Sequence, residues 1–230
     1  MKKINFPLFL MVLLYGGCIG DDIIFDTVPE TLRIINPLDT LAVGDSYTFD
    51  LLFTNNVGVE ETRPAVWSSS DPGILAVTEM GEATGISKGQ ATVTATVELA
   101  DLSPLRVSQT IIVDEETVPQ DPNDNIRQGT IRTTSSYLLR GSFEVKKENT
   151  DLVINIFDDY EASTALPGLY IYLSNNPNTV QGAMEIGAVE VFKGAHTYRV
   201  EGDVALNQYN YLLYYCKPFN VKVGDGEIGE

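Results

Sequence analysis

The stretch "YLLYYCKPFNV", Tyr211 to Val221, places one cysteine, Cys216, at the end of an aromatic, strand-like run and beside Lys217. A thiol does redox or nucleophilic chemistry as the thiolate, which neighbouring positive charge and partial exposure favour. Cys216 is therefore a candidate redox thiol; its alternative role is that of a small apolar core residue. His196, in "FKGAHTYRV", is the sole histidine. One histidine and one cysteine could ligate a haem iron, but no attachment motif accompanies them. They are too few for a zinc cluster, no suggestive serine stands near for a triad, and a solvent-facing strand start is expected for His196. Asp158, Asp159 and Glu161 in "FDDYEASTALPG", and Asp121, Asn123 and Asp124 further back, offer oxygens that suit calcium but lack EF-hand spacing. They read better as solvated loops. Tyr209, Tyr211, Tyr214 and Tyr215 could stack on a sugar, yet their strand pattern makes most of them core. No catalytic or metal-ligating residue and no cofactor is identified; haem and calcium stay open as alternatives.

What Cys216 can do depends on the other end of the chain. Met1-Lys2-Lys3 precedes 11 mostly apolar residues, Ile4 to Leu14, and then "YGGCIGDD". A basic start, a short apolar run and small residues before a break mark a secretory signal, and the run is well short of the roughly 20 residues that span a bilayer. Gly16-Gly17-Cys18 resembles the bacterial lipobox, with Tyr15 where an aliphatic or small residue is usual. That resemblance implies cleavage after residue 17, lipidation of Cys18 and a membrane anchor with more than one acyl chain. Asp21, Asp22 and Asp26 follow closely, resembling the surface-export signal of Bacteroidetes lipoproteins. The expected location is the outer membrane, surface-exposed or otherwise periplasmic. A lipidated Cys18 cannot form a disulfide, so Cys216 would be the one thiol of the mature chain.

The 230 residues carry 15 basic and 32 acidic side chains, a formal charge of −17, with 43% hydrophobic and 20% charged residues. The balance is globular. Such acidity repels phosphate backbones and excludes nucleic-acid binding. The charge is uneven. Residues 29–114 hold 12 acids and 4 bases, whereas residues 125–230 hold 13 acids and 9 bases. Between them "EETVPQDPND", 115–124, has four acids, two prolines and no base. That reads as a linker between two domains.

The first segment alternates β-branched runs with turns, as in Ala91-Thr92-Val93-Thr94-Ala95-Thr96-Val97, and predicts an antiparallel sandwich. Trp67-Ser68-Ser69-Ser70-Asp71, the Gly81 hairpin, Thr84-Gly85 and Gly89-Gln90-Ala91-Thr92-Val93 resemble the bacterial immunoglobulin-like domain, group 2. The resemblance implies a spacer or adhesive module, with Trp67 in its core.

The second segment also lacks helical periodicity: "LVINIF", "LYIYL", "AVEVF", "TYRV" and "YLLYY" predict another sandwich. Within Tyr211–Cys216 one face takes Leu212, Tyr214 and Cys216, the other Tyr211, Leu213 and Tyr215. Both are apolar, as in a strand covered on both sides, which Pro218 should end near Lys217. The order of "LRGSFEV", "LYIYLSNNP" and the late Tyr215-Cys216…Phe219 motif is similar to the electron-transfer DM-thirteen domain. That similarity implies a redox role for Cys216. Where the family commonly carries a histidine before the first of these strands, this chain has Tyr137-Leu138-Leu139; where it carries Pro-Asp, this chain has Gly168-Leu169.

The expectation is thus an all-β chain: signal peptide 1–17, lipidated stem 18–28, immunoglobulin-like sandwich 29–114, acidic linker 115–124 and DM-thirteen-like sandwich 125–230. It would act as a surface redox module with an unknown redox partner, or as an adhesion, ligand-binding or structural surface protein in which Cys216 is packing.

Overall fold

The structure is a computed structural model and describes residues 26–119 and 126–229. The expected signal peptide, Cys18, Asp21 and Asp22, and Asp121, Asn123 and Asp124 lie outside the described residues. The described chain is all-β, built from antiparallel sheets with one parallel pair of strands, an isolated parallel bridge between Val43 and Gly85, and one short 3-10 turn.

The first unit contains β1 (Thr31–Ile34), β2 (Leu38–Ala42), β3 (Ser46–Thr48), β4 (Leu51–Thr54), β5 (Glu60–Glu61), β6 (Val66–Ser69), β7 (Leu75–Val77), β8 (Glu82–Gly85), β9 (Gly89–Glu98), β10 (Pro104–Asp114) and β11 (Val118–Pro119). A five-stranded sheet runs β11-β2-β10-β9-β6, faced by three-stranded sheets β1-β4-β5 and β3-β8-β7. In β9, Ala91, Val93, Ala95 and Val97 point inward while the threonines face out, two of them hydrogen-bonding across to β10. Trp67 stacks on Phe49 at 5.9 Å, over Gly81, where any side chain would strike the indole. Val118–Pro119, within the stretch read as linker, adds a short edge strand to β2.

The second unit contains β12 (Arg127–Thr133), β13 (Leu139–Glu148), β14 (Asp151–Ile156), β15 (Glu161–Ala162), β16 (Leu169–Ser174), β17 (Met184–Ala188), β18 (His196–Val200), β19 (Tyr211–Cys216) and β20 (Val221–Glu227). Two separate sheets were expected, but all nine strands join one sheet, ordered β17-β16-β19-β20-β12-β13-β14-β18, with β15 on β13. It curls nearly closed around one apolar core. The joint is β12: Ile131 pairs with Gly141 of β13 and Gly226 of β20. Strands can approach there because the side-chain space is missing. A methyl group on Gly226 would come 2.7 Å from the Phe143 ring, and one on Gly129 would meet both Phe143 and the Glu227 carbonyl. Glycine at such a corner lets a sheet bend where a pleated strand would stay open.

Gly226→Val should therefore cost about 2–3 kcal/mol, read as a lower urea midpoint, and Phe143→Leu in the same chain should recover part of it. An unchanged midpoint for the single variant would mean that the corner is not closely packed.

Candidate functional site

Cys216 is the last residue of β19, opposite Leu169 of β16 and Val221 of β20. The predicted faces hold. Leu212, Tyr214 and Cys216 enter the main core, while Leu213 and Tyr215 enter a smaller apolar layer with Tyr170, Tyr172, Val180 and Ala183. Cys216 is 2% exposed and carries no disulfide. The Lys217 ammonium sits on the other side of the sheet, 2.7 Å from Glu185 and over the Tyr170 ring at 4.7 Å. The hydrogen bond to Lys217 is the main cause that holds the Glu185 carboxyl below its usual range. The charge is thus spent on a carboxylate, and strand alternation keeps it from the sulfur. Pro218 is the second residue of the 3-10 turn Lys217–Phe219, which leaves Phe219 67% exposed. The motif residues Tyr215, Cys216 and Phe219 therefore face an outer apolar layer, the core and solvent respectively; the fold does not bring them together.

Beside Tyr214 lies a buried polar cluster that residue spacing did not reveal. Tyr160, from the turn after β14, is tilted against Tyr214 at 6.2 Å and meets His196 edge-on at 4.9 Å; His196 in turn meets Tyr198 at 5.1 Å. His196 does begin β18 as expected, but its ring is wedged between two tyrosines instead of facing solvent. The reason is register: His196 and Tyr198 share the inward face opposite Ile156 and Ile154. The Gly194 carbonyl, 2.9 Å away, can only accept, so Nδ1 donates to it, while Nε2 is buried without a protein partner. The hydroxyls of Tyr160, Tyr198 and Tyr214 are likewise buried without partners; those of Tyr160 and Tyr214 influence each other's ionisation but are not aligned as a hydrogen bond. Burial is the main cause that raises all three pKa values, that of Tyr198 to about 12.

The loop acids each serve a structural contact. Asp159 accepts from the Ser142 backbone and hydroxyl, Glu161 pairs with Arg140 and Lys193, and Asp158 accepts from the Ala195 amide. Among the described residues no group of three or more His, Cys, Asp or Glu side chains is placed to hold a metal ion.

The most extensive polar construction joins the two units. In β1, Leu32 and Ile34 turn into the first core, so Thr31 and Arg33 must face away from it. Arg33 thereby enters the second unit. Its guanidinium donates to the Asn207 carbonyl at 2.7 Å, to Asn210 Oδ1 at 2.8 Å and to Asn175 Oδ1 at 2.9 Å. In return Asn207 donates to the Ile34 carbonyl at 2.7 Å, and Asn176, fully buried, donates to the carbonyls of Val57 and Asp26. Gly58 lies so close that a methyl there would come 2.7 Å from the Asn176 Cβ. Burial, with the nearby Arg127 charge, lowers the Arg33 pKa to about 10, partly opposed by Glu60; at neutral pH it stays charged. Next to this seam opens a cleft of about 550 Å3, walled by Ile35, Asn36, Pro37 and Asp50 of the first unit and by Arg127, Lys147, Asn149, Asp203 and Asn207 of the second.

Two outcomes follow. Unfolded tyrosines ionise near pH 10, while the folded ones hold their protons higher. The unfolded chain therefore binds fewer protons above pH 10, and stability, level at neutral pH, should fall as pH rises from about 10 to 12. Denaturant midpoints against pH test this; an equally steep fall in Tyr214→Phe would place its source elsewhere. Arg33→Met should leave three carbonyl oxygens of the seam without a donor and cost about 3 kcal/mol, splitting one calorimetric transition into two. A single transition at the parent temperature would show that the seam does not couple the units.

In comparisons with known proteins no family model matches the chain and no curated protein matches it, so its function must follow from this geometry.

Proposed function

We propose that the chain is a lipid-anchored cell-envelope protein in which two β-units act as one rigid binding body, and in which Cys216 packs the core of the DM-thirteen-like unit instead of carrying electrons. The observation that carries this is the burial of Cys216, 2% exposed, with the adjacent Lys217 held by Glu185 on the opposite face of the sheet. A redox thiol needs access and a field that favours the thiolate. Neither is arranged around this sulfur.

The immunoglobulin-like unit serves as a fixed partner more than as a stalk. Asp26 accepts a hydrogen bond from Asn176 of the second unit, so the stem from a lipidated Cys18 would enter at the seam itself. Its eight peptide steps span at most roughly 28 Å. The acidic surface, −17 over the whole chain, keeps such a body soluble and discourages self-association.

The test is thiol counting on the full chain, purified from membranes in detergent. The expected result is no rapid labelling when folded and one reactive thiol in denaturant, because Cys18 is held as a thioether. Two thiols in denaturant would refute the lipid anchor. Rapid labelling of the folded chain, lost in Cys216→Ser, would restore the electron-transfer reading with its unknown redox partner. Metabolic labelling with palmitate, lost in Cys18→Ala, checks the anchor independently.

A further inference from the structure

The cleft beside the Arg33 seam has a chemistry unlike the rest of the surface. The chain carries a charge of −17, yet the cleft wall sets Arg127 and Lys147 against Asp50 and Asp203 and is neutral. Its cations are already committed. Arg127 donates to the carbonyls of Ile228 at 2.6 Å, Gly229 at 2.9 Å and Tyr209 at 3.1 Å, and Lys147 to those of Thr150 at 2.8 Å and Val204 at 2.9 Å. Their N–H groups hold strand ends and loops together, which leaves little for a phosphate or carboxylate ligand. Acceptors, by contrast, are in surplus. Asp50 and Asp203 are exposed carboxylates; Asp203 has only a long 3.4 Å contact to Lys147. Ile35, Pro37 and Leu206 add apolar wall between these groups.

A ligand that fits must be uncharged overall, bring several O–H donors and present C–H faces to aliphatic side chains. We infer that this inter-unit cleft binds a short neutral oligosaccharide, with Asp50 and Asp203 accepting hydroxyl hydrogens from opposite walls. The inference rests on the proposal that the protein is a binding body and names its ligand class. It also gives the seam a purpose. Sites with polar groups converging on a partly apolar wall recur at domain boundaries, and a volume of about 550 Å3 falls within their usual range. Here the two walls belong to different units, so the Arg33 network sets their spacing.

The experiment uses the full chain in a non-glycosidic detergent, titrated by calorimetry with the trisaccharides of glucose (α- and β-linked), mannose, galactose and N-acetylglucosamine. Saturable binding of at least one, insensitive to added salt, is expected. The double variant Asp50→Asn, Asp203→Asn should weaken it by about tenfold or more while leaving the melting temperature and the thiol count unchanged. Three results overturn the inference: no saturable binding to any trisaccharide, binding unaffected by the double variant, or tighter and salt-sensitive binding of spermidine at the same aspartates. Any of these with Cys216 still unlabelled in the folded chain removes the ligand assignment and leaves the proposed envelope role standing.

Discussion

A guanidinium cannot shed its charge at neutral pH, and burying one is tolerated only when its donors find oxygen. Arg33 imposes that condition on the whole molecule. Besides the Thr31 hydroxyl of its own strand, its partners are side-chain amides and backbone carbonyls from two separate loops of the second unit, at Asn175 and at Asn207 to Asn210. They can meet it only in one relative placement of the units. Because the alternation of β1 commits Leu32 and Ile34 to the first core, the arginine has no other direction to take. The asparagines along the seam are themselves tied down: Asn175 to the Gln208 carbonyl, Asn207 to Ile34 and, beside them, Asn176 to Val57. Neutral amides match a charge without bringing a second one into the interior, which avoids the larger desolvation penalty of a buried ion pair. The cleft, its neutral wall and the position of Asp26 at the seam all depend on this placement.

The second constraint acts within the nine-stranded sheet. Closing it requires a corner, and the corner requires glycine opposite Phe143. Once closed, the sheet leaves one face of β19 in a single continuous core, so Leu212, Tyr214 and Cys216 are buried together. The same closure carries His196 and Tyr198 inward from the edge strand β18 against Tyr160 and Tyr214. The inaccessibility of the thiol and the presence of unpartnered tyrosine hydroxyls thus have one cause. The curvature that excludes solvent from the sulfur also traps phenols that would otherwise reach water.

Much of this was legible from local pattern. Alternation in Ala91–Val97 and in Tyr211–Cys216 assigned the buried faces correctly, because a strand's period of two is a property of the backbone alone. Pro218 marked the strand end for the same local reason. What escaped notice was decided by partners distant in the chain. "TLRII" reads as a strand with one arginine outside, and "SNNP" reads as a turn; that the arginine and the asparagine belong together is a matter of 142 residues of separation. His196 was expected in solvent because its neighbours alternate ordinarily, and only the curl of the sheet turns its face inward. The continuity of the sheet through β12 rests on Gly129 and Gly226, whose role is to leave space, and absent side chains carry little signal of their own.

The distribution of cations follows from the same economy. With 15 basic against 32 acidic side chains, a surface ion pair contributes little to stability, whereas a cation that ties several loop carbonyls holds backbone that no ladder can hold. Arg33, Arg127 and Lys147 do this around the junction, each reaching carbonyls from residues 204 to 210, and Arg127 also those of Ile228 and Gly229. That loop has little strand pairing of its own between β18 and β19, and without those donors its carbonyls would need water. The acidic excess is therefore left on the outer surface by default, and the junction is the region where charge balances. A neutral cleft on a strongly acidic protein is the consequence of using its few cations as backbone clamps.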